Sequence, residues 1–384
     1  MATVAWVIDS LRLGGAERLA LAWQAEGPAG EWRQRLAVLQ CAGEAASFEA
    51  EARARGLEWW CAGARHLRDL AAWRRLRNYL RQEQADLLHA HLGYATLWTA
   101  AAARALRIPW LATVHILPGQ ARGWRARALE RLQITVLNRS ACRIVLLSQA
   151  QHRAWTEAGL HGQRAVLLPN GVAASPLALP AERAAARNRL GVAPSARLFL
   201  TVAAVRPDKG WRDWLAAIPL IAARVPQAQF VWIGDGAEGA LLRAHTAARA
   251  DTRHIGLGAD IGAWLKCADI FLFPSHVEAQ PTALIEAMAA GLPIVAYDLE
   301  VHRELLGTDA GWRVERGKSA ALADAAAAAA LDPELARSRG HRAYERYSAQ
   351  YAQGLWRQRL AELYRTALDE HASRRLPHEH AAAA

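Results

Sequence analysis

The 384-residue chain has no run of 18 or more uncharged apolar residues, so no helical membrane span is expected. It begins MATVAWVIDS, without a basic leader region, and no secretory signal is expected. Cysteine is scarce. Cys41, Cys61, Cys142 and Cys267 are scattered without metal-ligand or disulfide spacing, which predicts reduced thiols in a cytoplasmic protein. No D-x-D metal motif is present, and no spaced G-x-G-x-x-G, which counts against a dehydrogenase. There are no repeats of 20–50 residues. The one low-complexity stretch, Ala-rich 320–330, is a good helix former. The terminal PHEHAAAA reads as a frayed tail.

What is there is globular: 53% of residues are hydrophobic and 22% charged, over a length that suits two domains. The charge is uneven. Residues 1–180 carry 22 Lys+Arg against 13 Asp+Glu, whereas residues 181–384 carry 25 against 23. The surplus concentrates in 66–81 and 120–143. The latter holds Arg122, Arg125, Arg127, Arg131, Arg139 and Arg143 against Glu130 alone, interleaved with Trp124, Leu129, Leu132, Ile134, Val136 and Leu137. This reads as a basic amphipathic helix, either a solvated face or one that lies on an anionic leaflet. No nucleic-acid-binding motif accompanies the charge, so no nucleic-acid partner is expected.

Short apolar strands alternate with helical stretches. In the first half they are Thr3–Asp9, Asp86–His91, Trp110–Ile116, Arg143–Ser148 and Ala165–Pro169. After the turn Asn170-Gly171 and a Pro-bearing linker at 173–180 come Arg197–Val205, Gln229–Gly234, Thr252–Gly256, Ile270–Phe273 and Ile294–Tyr297. The pattern predicts two doubly wound parallel sheets with helices on both faces. Trp356, Leu360 and Leu363-Tyr364 recur at helical spacing in a last helix, 351–368.

The segment 268–298 is the most informative. Ile270–Phe273 and Ile294–Tyr297 are apolar strands of the doubly buried kind. Between them Pro281 suits the first position of a helix that Gly291 and Pro293 end. Glu286 is the only charge from Ala279 to Tyr297 and shares a helix face with Thr282. A carboxylate on so apolar a helix needs a polar partner. Glu278 precedes the helix, past a strand's carboxyl end, where open α/β sheets bind ligands.

Glu278, Pro281, Glu286-Ala287-Met288-Ala289, Gly291, Pro293 and Val295-Ala296 resemble the E-x7-E signature of the GT-B retaining glycosyltransferases of family 4, or group 1. The resemblance continues along the chain through Gly14-Gly15-Ala16-Glu17, His89 and His91, the TVH strand ending at His115, Pro169-Asn170-Gly171-Val172, Arg206 with Lys209-Gly210, and Gly234-Asp235-Gly236. It implies two Rossmann-like domains facing across a cleft: an acceptor-side domain at 1–175, a nucleotide-sugar domain at 176–350, a crossover helix at 351–372 and a tail at 373–384.

The resemblance also implies roles. Glu286 binds the ribose hydroxyls, and Glu278 lies near the donor sugar. The backbone through Ala279, Gln280, Pro281 and Thr282 meets the sugar and phosphates. Arg206 and Lys209 take the diphosphate, two cations past a strand end that suit charge building on a leaving group. Gly234 and Gly236 lie beside the nucleotide. Gly14 and Gly15 permit close approach of a phosphate or sugar, although paired glycines also mark plain tight turns. His115 is the catalytic candidate of the first domain. His89 and His91, two apart on a strand, could bind a metal only with a third ligand, and no metal is expected. Two departures from the family pattern are Ala279 and Ala204, where glycine is usual.

The expected activity is transfer of a sugar from a nucleotide-diphosphate donor, a UDP-sugar, to a hydroxyl of a glycan or lipid-linked acceptor. The setting would be cell-surface polysaccharide, lipopolysaccharide or glycolipid synthesis at the cytoplasmic face of the inner membrane. No cofactor beyond the nucleotide sugar is expected. A non-hydrolysing UDP-sugar epimerase of the same fold and a non-catalytic GT-B subunit are the alternatives.

Overall fold

In the computed structural model all residues are described except 13, 26–31, 42, 44–46, 121–122, 175–177 and 374–384. Arg122, the middle of the expected linker and nearly all of the expected tail lie outside the described residues. The chain forms two compact units, Met1–Pro169 with Trp356–Ala384, and Asn170–Leu355. The break falls ahead of 175 because the next residues bond within the second unit. The Asn170 N–H donates to Gln280 Oε1 (2.6 Å), and Val172 pairs with Tyr351 and Gln353.

The first unit holds a seven-stranded parallel sheet. Its strands are β1 (Ala2–Ile8), β2 (Trp32–Val38), β3 (Trp60–Cys61), β4 (Leu87–His91), β5 (Trp110–Thr113), β6 (Arg143–Leu146) and β7 (Ala165–Leu167). Their order is β3-β2-β1-β4-β5-β6-β7. Helices α1 (Gly15–Ala25), α2 (Glu49–Ala54), α3 (Leu70–Gln82), α4 (Gly93–Leu106), α5 (Trp124–Ser140) and α6 (Gln149–Glu157) connect them. The central strands are buried on both faces, which is why they read as continuous apolar runs. β2 and β3 escape the sequence pattern because β2, WRQRLAV, puts arginines at exposed and half-buried positions and β3 has two residues.

The expected thiols are corrected at two positions: Cys41 and Cys61 form a disulfide, with Cα atoms 6.1 Å apart. Parallel pairing of Val38 with Cys61 carries Cys41, three residues beyond β2, alongside Cys61. A separation of 20 residues in sequence does not reveal that neighbourhood. Cys142 and Cys267 are free.

The second unit holds a six-stranded parallel sheet of β8 (Arg197–Val202), β9 (Ala228–Ile233), β10 (Thr252–Ile255), β11 (Ile270–Phe273), β12 (Ile294–Tyr297) and β13 (Trp312–Val314), ordered β10-β9-β8-β11-β12-β13. Its helices are α7 (Pro180–Leu190), α8 (Trp211–Ala222), α9 (Gly239–Ala247), α10 (Ile261–Cys267), α11 (Thr282–Ala289), α12 (Glu300–Leu306), α13 (Ser319–Leu331) and α14 (Pro333–Gln350). Pro281 is the residue capping α11 rather than its first helical residue. Its extended backbone (φ −77°, ψ 109°) explains the one-residue shift.

The last helix, α15 (Gln353–Ser373), belongs to the first unit from Trp356 onward. Trp356, Leu360, Leu363, Tyr364 and Ala367 join Trp6, Trp23, Trp32 and Leu111 in one buried cluster. The Trp6 indole N–H donates to the Tyr364 hydroxyl at 2.8 Å.

Candidate functional site

In both units the residues singled out by the sequence gather at the carboxyl ends of the strands, where α/β sheets place ligands. In the second unit, the loop after β8 makes one tight turn at Pro207–Lys209 and enters α8 through Gly210. Gly210 has φ +72°, and a Cβ there would overlap the Pro274 carbonyl, so only glycine fits. This close approach sets the Lys209 ammonium 2.8 Å from Glu278 Oε1, with both side chains largely buried. The Ser275 hydroxyl donates to the same carboxylate oxygen at 2.7 Å. Arg206 is about half exposed, and its guanidinium forks onto Asp208 at 3.1 and 2.8 Å.

Gly234 lies just past β9 with φ +131°, where a Cβ would overlap the Ala203 carbonyl; a Cβ at Gly236 would likewise crowd the Val205 carbonyl. The two loops therefore touch backbone to backbone, and Ala204 lies where they meet. On α11, Leu284, Ile285, Ala287, Met288 and Ala289 are buried, while Thr282 and Glu286 are half-buried on the remaining face. Ala279 and Gln280 are each 8% exposed, and Gln280 is the side chain that receives the Asn170 N–H.

Sequence reasoning missed a second polar group beside this one. His276 Nε2 lies 2.8 Å from Asp213 Oδ2, and the Tyr297 hydroxyl donates to that oxygen at 2.9 Å. Burial, then the bond to Asp213, pushes the Tyr297 hydroxyl well above its ordinary range. Asp213 lies on an amphipathic helix and Tyr297 ends a strand, so nothing in their local pattern marked either.

In the first unit Asp9 follows β1. Its carboxylate accepts the Ala95 N–H at 2.6 Å and the Tyr94 N–H at 3.3 Å, at the start of α4. Burial raises its pKa to about 6 against those bonds. Gly14 and Gly15 open α1, and the Glu17 carboxylate folds back over Gly14. Burial, with the Asp9 carboxylate adding to it, raises Glu17 to about 7. Glu17 thus occupies the space that Gly14 leaves open.

The histidines of β4 lie in the core of the first unit. His89 and His91 are each 1% exposed. His91 Nδ1 meets His115 Nε2 at 2.9 Å, and the His91 ring stacks on Trp6 with centroids 3.9 Å apart. His89 takes part in a buried chain. The Trp6 indole N–H donates to the Tyr364 hydroxyl, which lies 2.7 Å from His89 Nδ1, and His89 Nε2 lies 2.7 Å from Thr113 Oγ1. Burial holds both β4 imidazoles well below their ordinary pKa and brings His115 to about 4, so all three are neutral at pH 7. Leu92, next to His91, turns the chain into α4 at φ +74°, a conformation that leucine rarely adopts. Among the described residues no group of three or more His, Cys, Asp or Glu side chains is placed to hold a metal.

Two family models match the chain: "Glycosyltransferase Family 4" over residues 13–175 and "Glycosyl transferases group 1" over residues 196–332. A phosphatidyl-myo-inositol mannosyltransferase of Mycobacterium leprae is 31% identical over 265 residues, 65% of this chain and 66% of the relative. A glycogen synthase of Mycobacterium tuberculosis is 27% identical over 283 residues, 71% of this chain and 66% of the relative. The matched segments thus span just under two thirds of these curated relatives. Among solved structures, Anabaena HepE in complex with UDP and glucose superposes with a TM-score of 0.81 at 20% identity, covering 95% of this chain and all of that one. At that identity the likeness shows the fold, which is GT-B.

Proposed function

Because the chain belongs to the family 4, group 1 glycosyltransferases, we propose that it transfers a sugar from a nucleotide-diphosphate donor, a UDP-sugar, to a hydroxyl of a glycan or lipid-linked acceptor. The observation that carries this reading is the Lys209–Glu278 pair, buried at the carboxyl ends of β8 and β11, with Glu286 on the helix that follows. Lys209 is a fixed cation, and its charge is already matched by Glu278. Arg206 is held by an exposed pair, which costs little to exchange, so it is the cation free to turn onto an arriving diphosphate. Glu286 takes the ribose hydroxyls. Glu278, with the backbone at Ala279, Gln280, Pro281 and Thr282, borders the sugar, and Gly234 and Gly236 border the nucleotide. In the first unit His115, neutral and bonded to His91, is the catalytic candidate, and Gly14 and Gly15 line its carboxyl-end loop.

In the reaction the bond from the anomeric carbon to the diphosphate oxygen breaks and one to the acceptor oxygen forms. The acceptor proton passes to the leaving phosphate, and the anomeric configuration is retained. Cations supply the leaving-group stabilisation, and no cofactor beyond the donor is invoked. The mannosyltransferase relative acts, by its name, on a phosphatidyl-inositol acceptor. A similar anionic, lipid-linked acceptor at the cytoplasmic face of the inner membrane, for polysaccharide, lipopolysaccharide or glycolipid synthesis, suits the basic first unit. There α5 exposes Trp124 and Leu132 beside its arginines.

Calorimetric titration tests the donor assignment. UDP should bind Glu286→Ala at least about tenfold more weakly than wild type, the loss of one good charged hydrogen-bonding group. Arg206→Ala with Lys209→Ala should lower turnover by about a hundredfold or more in a nucleotide-release assay. Unchanged UDP affinity in Glu286→Ala would sink the ribose assignment. Sugar isomerisation without an acceptor would favour the epimerase instead.

A further inference from the structure

At the other end of the second sheet, where its strands begin, lies a cavity of about 490 Å³. Arg197, Asp269 and Pro293, at the starts of β8, β11 and β12, form its floor. Arg183 of α7, Lys266 of α10 and Arg337 of α14 stand around it, and the rest of the lining is mostly alanine, leucine and proline. The volume is that of a small-molecule site.

The charge in it does not balance. Among the described residues Asp269 is the only carboxylate of the lining, and it is already engaged. It accepts from Arg183 and from the buried Arg187 behind it, both at 2.6 Å, and from the Leu198 N–H at 2.8 Å; Arg197 stands 3.7 Å away. Among the described residues Lys266 and Arg337 have no ion-pair partner. His341 at the rim is 3.5 Å from Glu345. Burial, opposed by Asp269 but aided by the charges of Arg187 and Arg197, pulls the Arg183 guanidinium below its ordinary range. Cations crowded around one carboxylate repel one another, and an added anion relieves that repulsion.

We infer that this cavity binds a phosphorylated small molecule of sugar-phosphate size, its phosphate held by Arg197, Lys266 and Arg337 and its body against the apolar wall. Guanidinium forks match phosphate oxygens in pairs, and Lys266 adds a point charge. The site is separate from the loops of Lys209 and Glu278, which lie past the opposite ends of the same strands, and it does not depend on the donor assignment.

Titration of the full chain with glucose 6-phosphate tests it. Saturable binding is expected, absent with glucose. Lys266→Glu with Arg337→Glu should weaken it at least about tenfold, the loss of one charged contact or more. Arg206→Ala with Lys209→Ala should leave it unchanged. Inorganic phosphate should compete, whereas vesicles of phosphatidic acid should not, which separates a free phosphate from a lipid headgroup. Should the double glutamate variant lose its circular dichroism, Lys266→Gln with Arg337→Gln takes its place. No binding to wild type, full binding in the charge variants, loss in the Arg206–Lys209 variant, or competition by vesicles alone would each overturn the inference.

Discussion

Glu17 is a residue whose chemistry departs from its sequence context. Its carboxyl is buried over Gly14 beside Asp9 and titrates near 7 rather than at the ordinary 4.5. Between those values the folded chain keeps a proton that the unfolded chain releases. Stability therefore falls as pH rises from about 4.5 to 7, and the loss is complete above 7. Glu17→Gln removes the buried charge. It should raise stability at pH 8 by about 1–3 kcal/mol and leave it nearly unchanged at pH 4. Urea unfolding at the two pH values checks this, and equal effects at both would refute it. The histidines contribute the opposite slope. His115 is depressed to about 4, so it costs stability only as pH falls below its ordinary 6.5. Glu17 stood in view as part of GGAE, but its burial was not legible, because it depends on the fold around α1.

Among the elements, α15 is tied to the first sheet by one side chain. The Tyr364 hydroxyl accepts from Trp6 and is hydrogen-bonded to His89, whose other ring nitrogen meets Thr113. Tyr364→Phe keeps the ring packed against Trp23 and Trp32 but leaves a buried indole N–H and a buried imidazole nitrogen without partners. A loss of about 1–3 kcal/mol is expected in thermal or denaturant unfolding. No measurable change would show that water replaces the hydroxyl. The helical spacing of Trp356, Leu360 and Tyr364 announced this helix in the sequence. Its partners did not show, since β1 and α15 are joined by contacts across more than 350 residues. The same limit applies to His91 and His115, which meet because β4 and β5 pair His91 with Thr113. It applies also to Lys209 and Glu278, which meet because β8 lies beside β11.

For the whole molecule, charge is one property that the sequence states directly. Its excess of 11 positive charges lies mostly in residues 1–180. In α5 only Ile134 and Leu137 are buried, leaving Trp124 75% and Leu132 49% exposed among arginines. Among the described residues no helix is long and apolar enough to cross a membrane. The protein is expected to sediment with vesicles containing anionic lipid and not with neutral ones. High salt should release it, because exposed charges are screened within about 10 Å at 0.1 M. Equal recovery with neutral vesicles would reject the electrostatic reading. The alternation of buried strands and helices determined two parallel sheets, and the motif order determined the family, because doubly buried strands and glycine-bounded loops leave local signatures. Tertiary structure alone decided the Cys41–Cys61 bridge, the Glu17 carboxyl over Gly14, the pairing of His91 with His115 and the cationic cavity around Asp269. Each is a meeting of residues from separate elements, and its position is set by strand order and register, which no local stretch of sequence encodes.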